Sequence, residues 1–446
     1  MRGKSKLKRL LTFLLTTVIA LSYIAAVPAG AQAEEQTIDV NTVSCSQALI
    51  INTTDDMVLF DRGADQPIFC GYLPQVMTCI LLLELDRDLS QQVTISKQVL
   101  QNTPQASTLN FKEGDTVSLE SLVLAALMAN AQDACVAIAL SISPDLGTFV
   151  GLMNEKAKQL GAEQTHFVNV HGYYTESAAQ MTTLYDVAKI LKYALSLKDF
   201  EKYANTTYTT VTVSGTQKQI YTRNSTIVEQ GSRYYVPNLT GIGMASDSRC
   251  GSAVAGATST KEMQVLILGQ TDGALSQLYT DIKTMTEYAR NSYTTRTLAT
   301  AGATIRELKV TQGKDTDYVV LTAEKDVQAL MANTIAQEDI ETIFDVPEQV
   351  NAPIEKGQVL GTLSFVYDGY TYGTVNLTAK TSVELDMMQA FTDKINHIFR
   401  SPAFIITIIV IILLVILYTI ITIHINKKRQ KRRKSSKHER IKIDLD

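Results

Sequence analysis

Hydrophobic and polar positions change period several times along the chain. Residues 46–60, SQALIINTTDDMVLF, read as two β-type runs around the turn residues Thr54, Asp55 and Asp56. Residues 73–86 predict a helix. Residues 118–141, SLESLVLAALMANAQDACVAIALS, are rich in Ala and Leu and predict two packed helices broken near Asn130. Residues 145–160 place Phe149, Met153, Ala157 and Leu160 at helical spacing, with Gly161 as the stop. Residues 183–195 predict a further amphipathic helix. The pattern turns to strands from 206 to 268, and a helix from about 274 to 293 closes a first domain over 34–294.

The next stretch, 295–385, carries alternating runs such as IRELKVTQG and DYVVLTA. A long run, QVLGTLSFVYDGYTYGTVNLTA, holds the hairpin signal Asp368-Gly369. These predict a small β-sandwich. Residues 386–402 place Met387, Met388, Phe391, Ile395, Ile398 and Phe399 on one helical face. Such a helix either lies on a membrane surface or leads into a span; the first is the expectation. Residues 403–423, AFIITIIVIILLVILYTIITI, hold no charge and reach the roughly 20 residues that cross a bilayer as a helix. The tail, 424–446, carries ten Lys or Arg between Lys427 and Lys442 against the single acid Glu439. A basic block beside a span marks the cytoplasmic side and attracts anionic lipid, and this outweighs a nucleic-acid reading. At the other end Arg2, Lys4, Lys6, Lys8 and Arg9 precede an apolar stretch and the small-x-small patterns of Ala29 to Ala33. That predicts a secretion signal over 1–33, with an uncleaved anchor as the alternative.

This topology changes the meaning of the charge. The chain as a whole carries −4. The leader holds five basic groups and no acid, the tail from Asn426 ten basic and three acidic, which leaves 26 basic and 42 acidic groups outside, a net −16. Such a surface is soluble and binds nucleic acid poorly. The five cysteines, Cys45, Cys70, Cys79, Cys135 and Cys250, have neither disulfide-framework nor zinc spacing, and no cofactor is expected.

Two blocks resemble a known family. MNEKAKQLGAEQTHFVNVHGYYTESAAQMTTLYDVAKILKYAL and NAPIEKGQVLGTLSFVYDG look like the serine D-alanyl-D-alanine carboxypeptidases of the penicillin-binding protein class (peptidase S11-like). The resemblance covers most of the outer part. It implies an α+β fold: a penicillin-binding/β-lactamase-like transpeptidase domain of antiparallel sheet plus helical cluster, then a small β-sandwich and a C-terminal transmembrane helix. It implies peptidoglycan stem peptides as ligand and three motifs: Ser-x-x-Lys, Ser-x-Asn and Lys-Thr-Gly. Serine needs a base to become a nucleophile, and a lysine one helical turn away lies on the same face.

Carried over residue by residue, the motif positions hold other residues. In CGYLPQVMT, Tyr72 stands at the serine and Gln75 at the lysine. Asn130, Ala131 and Gln132 stand at Ser-x-Asn, with Asp133 retained after them. Gly243, Met244 and Ala245 stand at Lys-Thr-Gly. A phenol titrates near 10 and glutamine is no base, so no catalytic residue is expected. Cys70 and Cys135 lie near the first two motifs, but a thiol needs a base to lower its pKa and no His is placed beside them. Asp133, His171 and Ser107 are candidates to line the cleft; a structural role is expected for His171 and a solvated loop position for Ser107. The expected function is a membrane-anchored homologue, catalytically inactive, that binds peptidoglycan or acts with a wall-synthesis protein at the bacterial cell membrane. The alternative is a residual or altered peptide hydrolase.

Overall fold

The run Val265–Thr271, VLILGQT, is buried at all seven positions, which requires cover on both faces. The computed structural model places it at the centre of a sheet. The structure describes residues 39–443 except 86, 105–106, 175–179, 223–230, 238, 243–244, 248–251, 255–256, 261–262 and 273. The predicted secretion signal lies outside the described residues.

The chain divides into two units. The first comprises residues 1–295 and 330–334. β1 (Gln47–Asn52) and β2 (Val58–Arg62) form the expected hairpin, with Asp56 at φ +60° in its turn. β3 (Ile68–Phe69) leads into α1 (Leu73–Leu83). Then come β4 (Gln92–Thr94), α2 (Lys97–Gln101), β5 (Thr116–Ser118), α3 (Leu119–Ala129), α4 (Gln132–Ile142) and α5 (Leu146–Gln159). β6 (Met181–Thr182) precedes α6 (Leu184–Ser196), α7 (Phe200–Asn205), β7 (Tyr208–Val213) and β8 (Thr216–Tyr221). β9 (Leu239–Ile242), β10 (Ala245–Asp247), β11 (Ser252–Val254), β12 (Ala257–Thr260) and β13 (Val265–Thr271) end at α8 (Leu275–Ser292).

The main sheet is antiparallel. Its order runs β2, β1, β13, then β12 and β11, then β9 and β10 at the edge. Side chains alternate across it, as the two-residue period of a strand dictates. Leu266 and Leu268 join the core of the helical cluster; Val265 and Ile267 join the core under α8. Leu278, Ile282, Met285 and Ala289 repeat at helical spacing along α8 and fill that second core. In the cluster, α1 is buried nearly all round, the mark of a central helix. It stops at Leu83, short of the expected 86: the Leu85 amide turns back to the Leu82 carbonyl at 3.2 Å, a tightened i to i−3 bond, and the Glu84 carboxylate accepts from Lys156 Nζ at 2.6 Å. The expected break between α3 and α4 is present: Asn130 takes φ +51°, a left-handed conformation that asparagine tolerates. Ser118 caps α3 by accepting from Ser121 N at 3.2 Å. Smaller sheets join β4, β5, β7 and β8, and β3 with β6.

The second unit comprises residues 296–329 and 335–446. It is the expected small β-sandwich. β14 (Tyr293–Ala299) pairs with β17 (Val327–Ala332). β15 (Thr304–Thr311), β16 (Tyr318–Ala323), β18 (Glu341–Asp345), β19 (Gln349–Asn351), β20 (Val359–Tyr367) and β21 (Tyr370–Ala379) form one sheet in the order β18-β20-β21-β16-β15-β19. The β20–β21 turn is the Asp368-Gly369 pair, both at positive φ, as a two-residue hairpin of this kind requires. α9 (Met387–Arg400) starts at Asp386, whose carboxylate accepts from Met388 N and Gln389 N. Of its apolar row, Met387, Met388, Phe391, Ile398 and Phe399 are exposed and Ile395 is half-buried. α10 (Pro402–Ile443) is, over Pro402–Gln430, long and apolar enough to cross a membrane. It continues past the predicted end at 423, since Lys, Arg and Gln favour helix and no Gly or Pro interrupts the run.

The central position of α1 gives a direct test. Met77 is fully buried, and Met77→Ala should lower the unfolding free energy by about 2–5 kcal/mol in a denaturant titration. Met388→Ala, at a residue 74% exposed, should change it by less than about 0.5 kcal/mol. Equal effects would contradict the placement of α1 in the core.

Candidate functional site

The start of α1 is where the resemblance places a nucleophile and its base. Cys70 N is held by the Gln180 carbonyl at 2.9 Å, next to the β3–β6 pairing. Gly71 turns at φ +53°, Tyr72 occupies the N-cap, and Pro74 lies in the first turn, where a missing amide proton costs nothing. No side chain caps the helix at Tyr72; a phenolic oxygen stands a whole ring away from the amides that a serine hydroxyl would reach. Tyr72 is only 3% exposed and belongs to the helical-cluster core.

Gln75 is 5% exposed and faces the 168–173 loop. Its Nε2 donates to the His171 carbonyl at 2.9 Å, and one turn on, Thr78 Oγ1 donates to the Val170 carbonyl at 2.9 Å. The loop comes so close that a Cβ on Gly172 would lie 2.2 Å from the Gly71 carbonyl oxygen. Gly172 also sits at φ +71°, so glycine is required there on two counts. The loop is fixed from behind. Asn169 Oδ1 accepts from Gly172 N at 2.8 Å and His171 N at 3.2 Å, while Gln180 Oε1 accepts from Val168 N at 2.9 Å. His171 Nδ1 accepts from Tyr173 N at 3.1 Å, which leaves the proton of the neutral ring on Nε2. Burial holds its pKa down at about 4. The ring is therefore neutral near pH 7.

The second motif position lies at the α3–α4 junction. Asn130 supplies the left-handed turn, and Ala131 N closes onto the Ala125 carbonyl at 3.0 Å. Gln132 N donates to the Ser107 carbonyl at 2.8 Å. Ser107 departs from the expected solvated loop position: it is half-buried, and its hydroxyl donates to the Ala129 carbonyl at 3.1 Å, strapping its loop across the junction. Asp133 is buried and accepts from Leu109 N at 2.8 Å and Ala134 N at 2.9 Å. Desolvation raises its pKa against those amide donors, which lower it. Its carboxylate therefore braces the 107–111 loop. Gln132 is 7% exposed, and its Oε1 has no hydrogen-bond partner among the described residues.

The third motif position is described only in part. Gly243 and Met244 lie outside the described residues. Ala245 opens β10 at the sheet edge, opposite Val254. The thiols are buried, and burial pushes both Cys70 and Cys135 upward, away from thiolate. The structure thus brings Gln75 to His171 and Gln132 to Ser107. Residues 72 and 75 are themselves a phenol and an amide, so neither supplies the amine that takes a proton in the Ser-x-x-Lys motif. Asn169, Gly172 and Gln180 were not singled out from sequence. The Asn-x-x-Gly spacing is a turn signal, but nothing in sequence ties Gln180 back twelve positions to Val168.

Comparison with known proteins follows the same outline. Residues 31–269 match the family model described as D-alanyl-D-alanine carboxypeptidase, and residues 293–385 match the penicillin-binding protein 5 C-terminal domain. The chain is 24% identical over 385 residues to the D-alanyl-D-alanine carboxypeptidase DacF of Bacillus subtilis, covering 85% of this chain and 95% of the relative. It is 24% identical over 366 residues to DacC of Escherichia coli, covering 79% and 87%. Penicillin-binding protein 5 of Haemophilus influenzae shares the fold at TM-score 0.60 and 21% identity, over 77% of this chain and 98% of that one. A Streptococcus pneumoniae structure titled as a peptidoglycan synthesis regulatory factor (PBP3) does so at 0.61 and 20%, over 77% and 100%.

The buried imidazole predicts a pH dependence. The unfolded chain takes up the His171 proton from pH 6.5 downward, the folded one only near pH 4. Stability is full above pH 6.5 and falls between these values, by on the order of 3 kcal/mol. Denaturant titrations of wild type and His171→Gln across pH 4–7 should diverge by about that amount; parallel curves would contradict it.

Proposed function

Because the chain belongs to the D-alanyl-D-alanine carboxypeptidase family, we propose that it is a non-hydrolytic member, held at the bacterial cell membrane, that binds peptidoglycan stem peptides or organises a wall-synthesis protein. One observation carries this reading. The positions of nucleophile and base hold Tyr72 and Gln75, both buried, with the Gln75 amide already committed to the His171 carbonyl. A base must be able to accept a proton in place; an amide donor pinned to a carbonyl cannot. Asn130 and Gln132 add no ionisable group, and Asp133 is spent on backbone amides.

The membrane part of the proposal rests on the C-terminus. α10 is the span, single-pass, and its basic end is the cytoplasmic side by the excess of Lys and Arg, where it meets anionic lipid. α9, with Met387, Met388, Phe391 and Phe399 exposed, lies on the outer membrane surface. The domain limits proposed are 34–294, 295–385, 386–402, 403–423 and 424–446, after a leader at 1–33.

The test separates binding from turnover. Full-length protein in lipid nanodiscs is titrated with a stem pentapeptide ending in D-alanyl-D-alanine, and released D-alanine is measured in parallel. Saturable binding with no release is expected from a peptide-binding member. Release of D-alanine above the empty-disc blank would overturn the non-hydrolytic reading. Neither binding nor release would remove the peptide and leave the wall-synthesis protein as ligand.

A further inference from the structure

A hollow of ≈ 610 Å³ opens where α6 crosses the end of the main sheet, away from Tyr72, Gln75 and His171, none of which lines it. Its size falls within the roughly 300–1,000 Å³ of small-molecule sites. The floor is the cross-strand pair Ile51 and Leu266, and Leu160 and Ala188 extend the apolar surface.

The rest of the lining comes largely from one face of α6. Tyr185, Lys189, Lys192 and Tyr193 follow one another at helical spacing. Both tyrosines are pinned by carboxylates from other elements. Tyr185 Oη donates to Asp61 Oδ2 at 2.7 Å, and Tyr193 Oη donates to Glu84. The rings are therefore set in place before any ligand arrives, which removes an ordering cost from binding.

The two lysines sit half-exposed at the mouth. Lys189 Nζ donates to the Gly161 carbonyl at 2.6 Å and to Asp186 Oδ1 at 3.2 Å; Lys192 Nζ donates to Asp56 Oδ1 at 2.5 Å. An ammonium has three donors, so each keeps at least one beyond these partners among the described residues. Asp56 lies on the exposed β1–β2 turn with its side chain 65% exposed. A solvent-exposed pair of this kind is weak and exchangeable.

We propose that this hollow binds a small anionic amphiphile, its apolar or aromatic body on Ile51 and Leu266 and its carboxylate on Lys189 and Lys192 in place of Asp56. The tyrosine rings flank the body, and the charge at the mouth selects the head group.

Three probes sharing one body test it: 4-phenylbutyrate, 4-phenylbutanol and 4-phenylbutylamine, titrated calorimetrically against the full-length protein in nanodiscs with empty discs as blank. The carboxylate should bind about tenfold or more tighter than the amine. Lys189→Gln with Lys192→Gln should erase that preference, and Asp56→Asn should tighten carboxylate binding. Ala188→Trp should abolish binding of all three; Ala188 is buried, so where that variant does not fold, the lysine pair on exposed side chains decides. No carboxylate binding, equal binding of carboxylate and amine, or a preference that survives the double lysine variant would overturn the proposal.

Discussion

The grip of α1 on the 168–173 loop is the constraint on which the site depends. Two side chains one turn apart, Gln75 and Thr78, donate to consecutive carbonyls, His171 and Val170. Gly172 rests on the Gly71 carbonyl at a separation that excludes any side chain. Each bond is worth only about 1 kcal/mol net, but breaking one leaves a buried carbonyl unpaired, which costs more than the bond gives. The contact therefore holds as a unit. While it holds, residue 75, where the resemblance places the base, is a neutral donor, and the buried His171 imidazole stays uncharged near pH 7.

This arrangement separates fold from chemistry along a single helix. Val76, Met77, Cys79, Ile80 and Leu82 supply the core contacts of α1. Residues 72 and 75 stand where the resemblance places the family's nucleophile and base. Substitution there leaves the packing positions untouched, provided the new side chains are satisfied where they are buried. Tyr72 meets that condition as part of the core, and Gln75 as a donor to the loop. A lysine at 75 would be a buried cation, costly without charged or strongly accepting neighbours. At the α3–α4 junction the backbone dictates the choice, since Asn130 suits the left-handed turn that separates the helices.

Much of this was legible in the sequence because it rests on period and local chemistry. The break at Asn130, the stop at Gly161, the Asp368-Gly369 hairpin and the apolar row of α9 all follow from residues close together in the chain. What escaped notice depends on partners far apart. Ser107 reads as a solvated loop residue until Ala129 and Gln132 meet it. Gln180 has no local signal of its hold on Val168. The hollow beside α6 needs Ile51 and Leu266, more than two hundred residues apart, to be cross-strand neighbours. The resemblance places the edge-strand motif at Gly243, Met244 and Ala245, and only the last falls within the described residues.

The central claim is that the vacated seat of the nucleophile no longer reacts. The most direct measurement is the intact mass of the full-length protein after prolonged incubation with excess benzylpenicillin. The account predicts an unchanged mass. A stoichiometric increase by the mass of the antibiotic, mapped to Tyr72, Cys70 or any other residue of the 70–79 stretch, would contradict it.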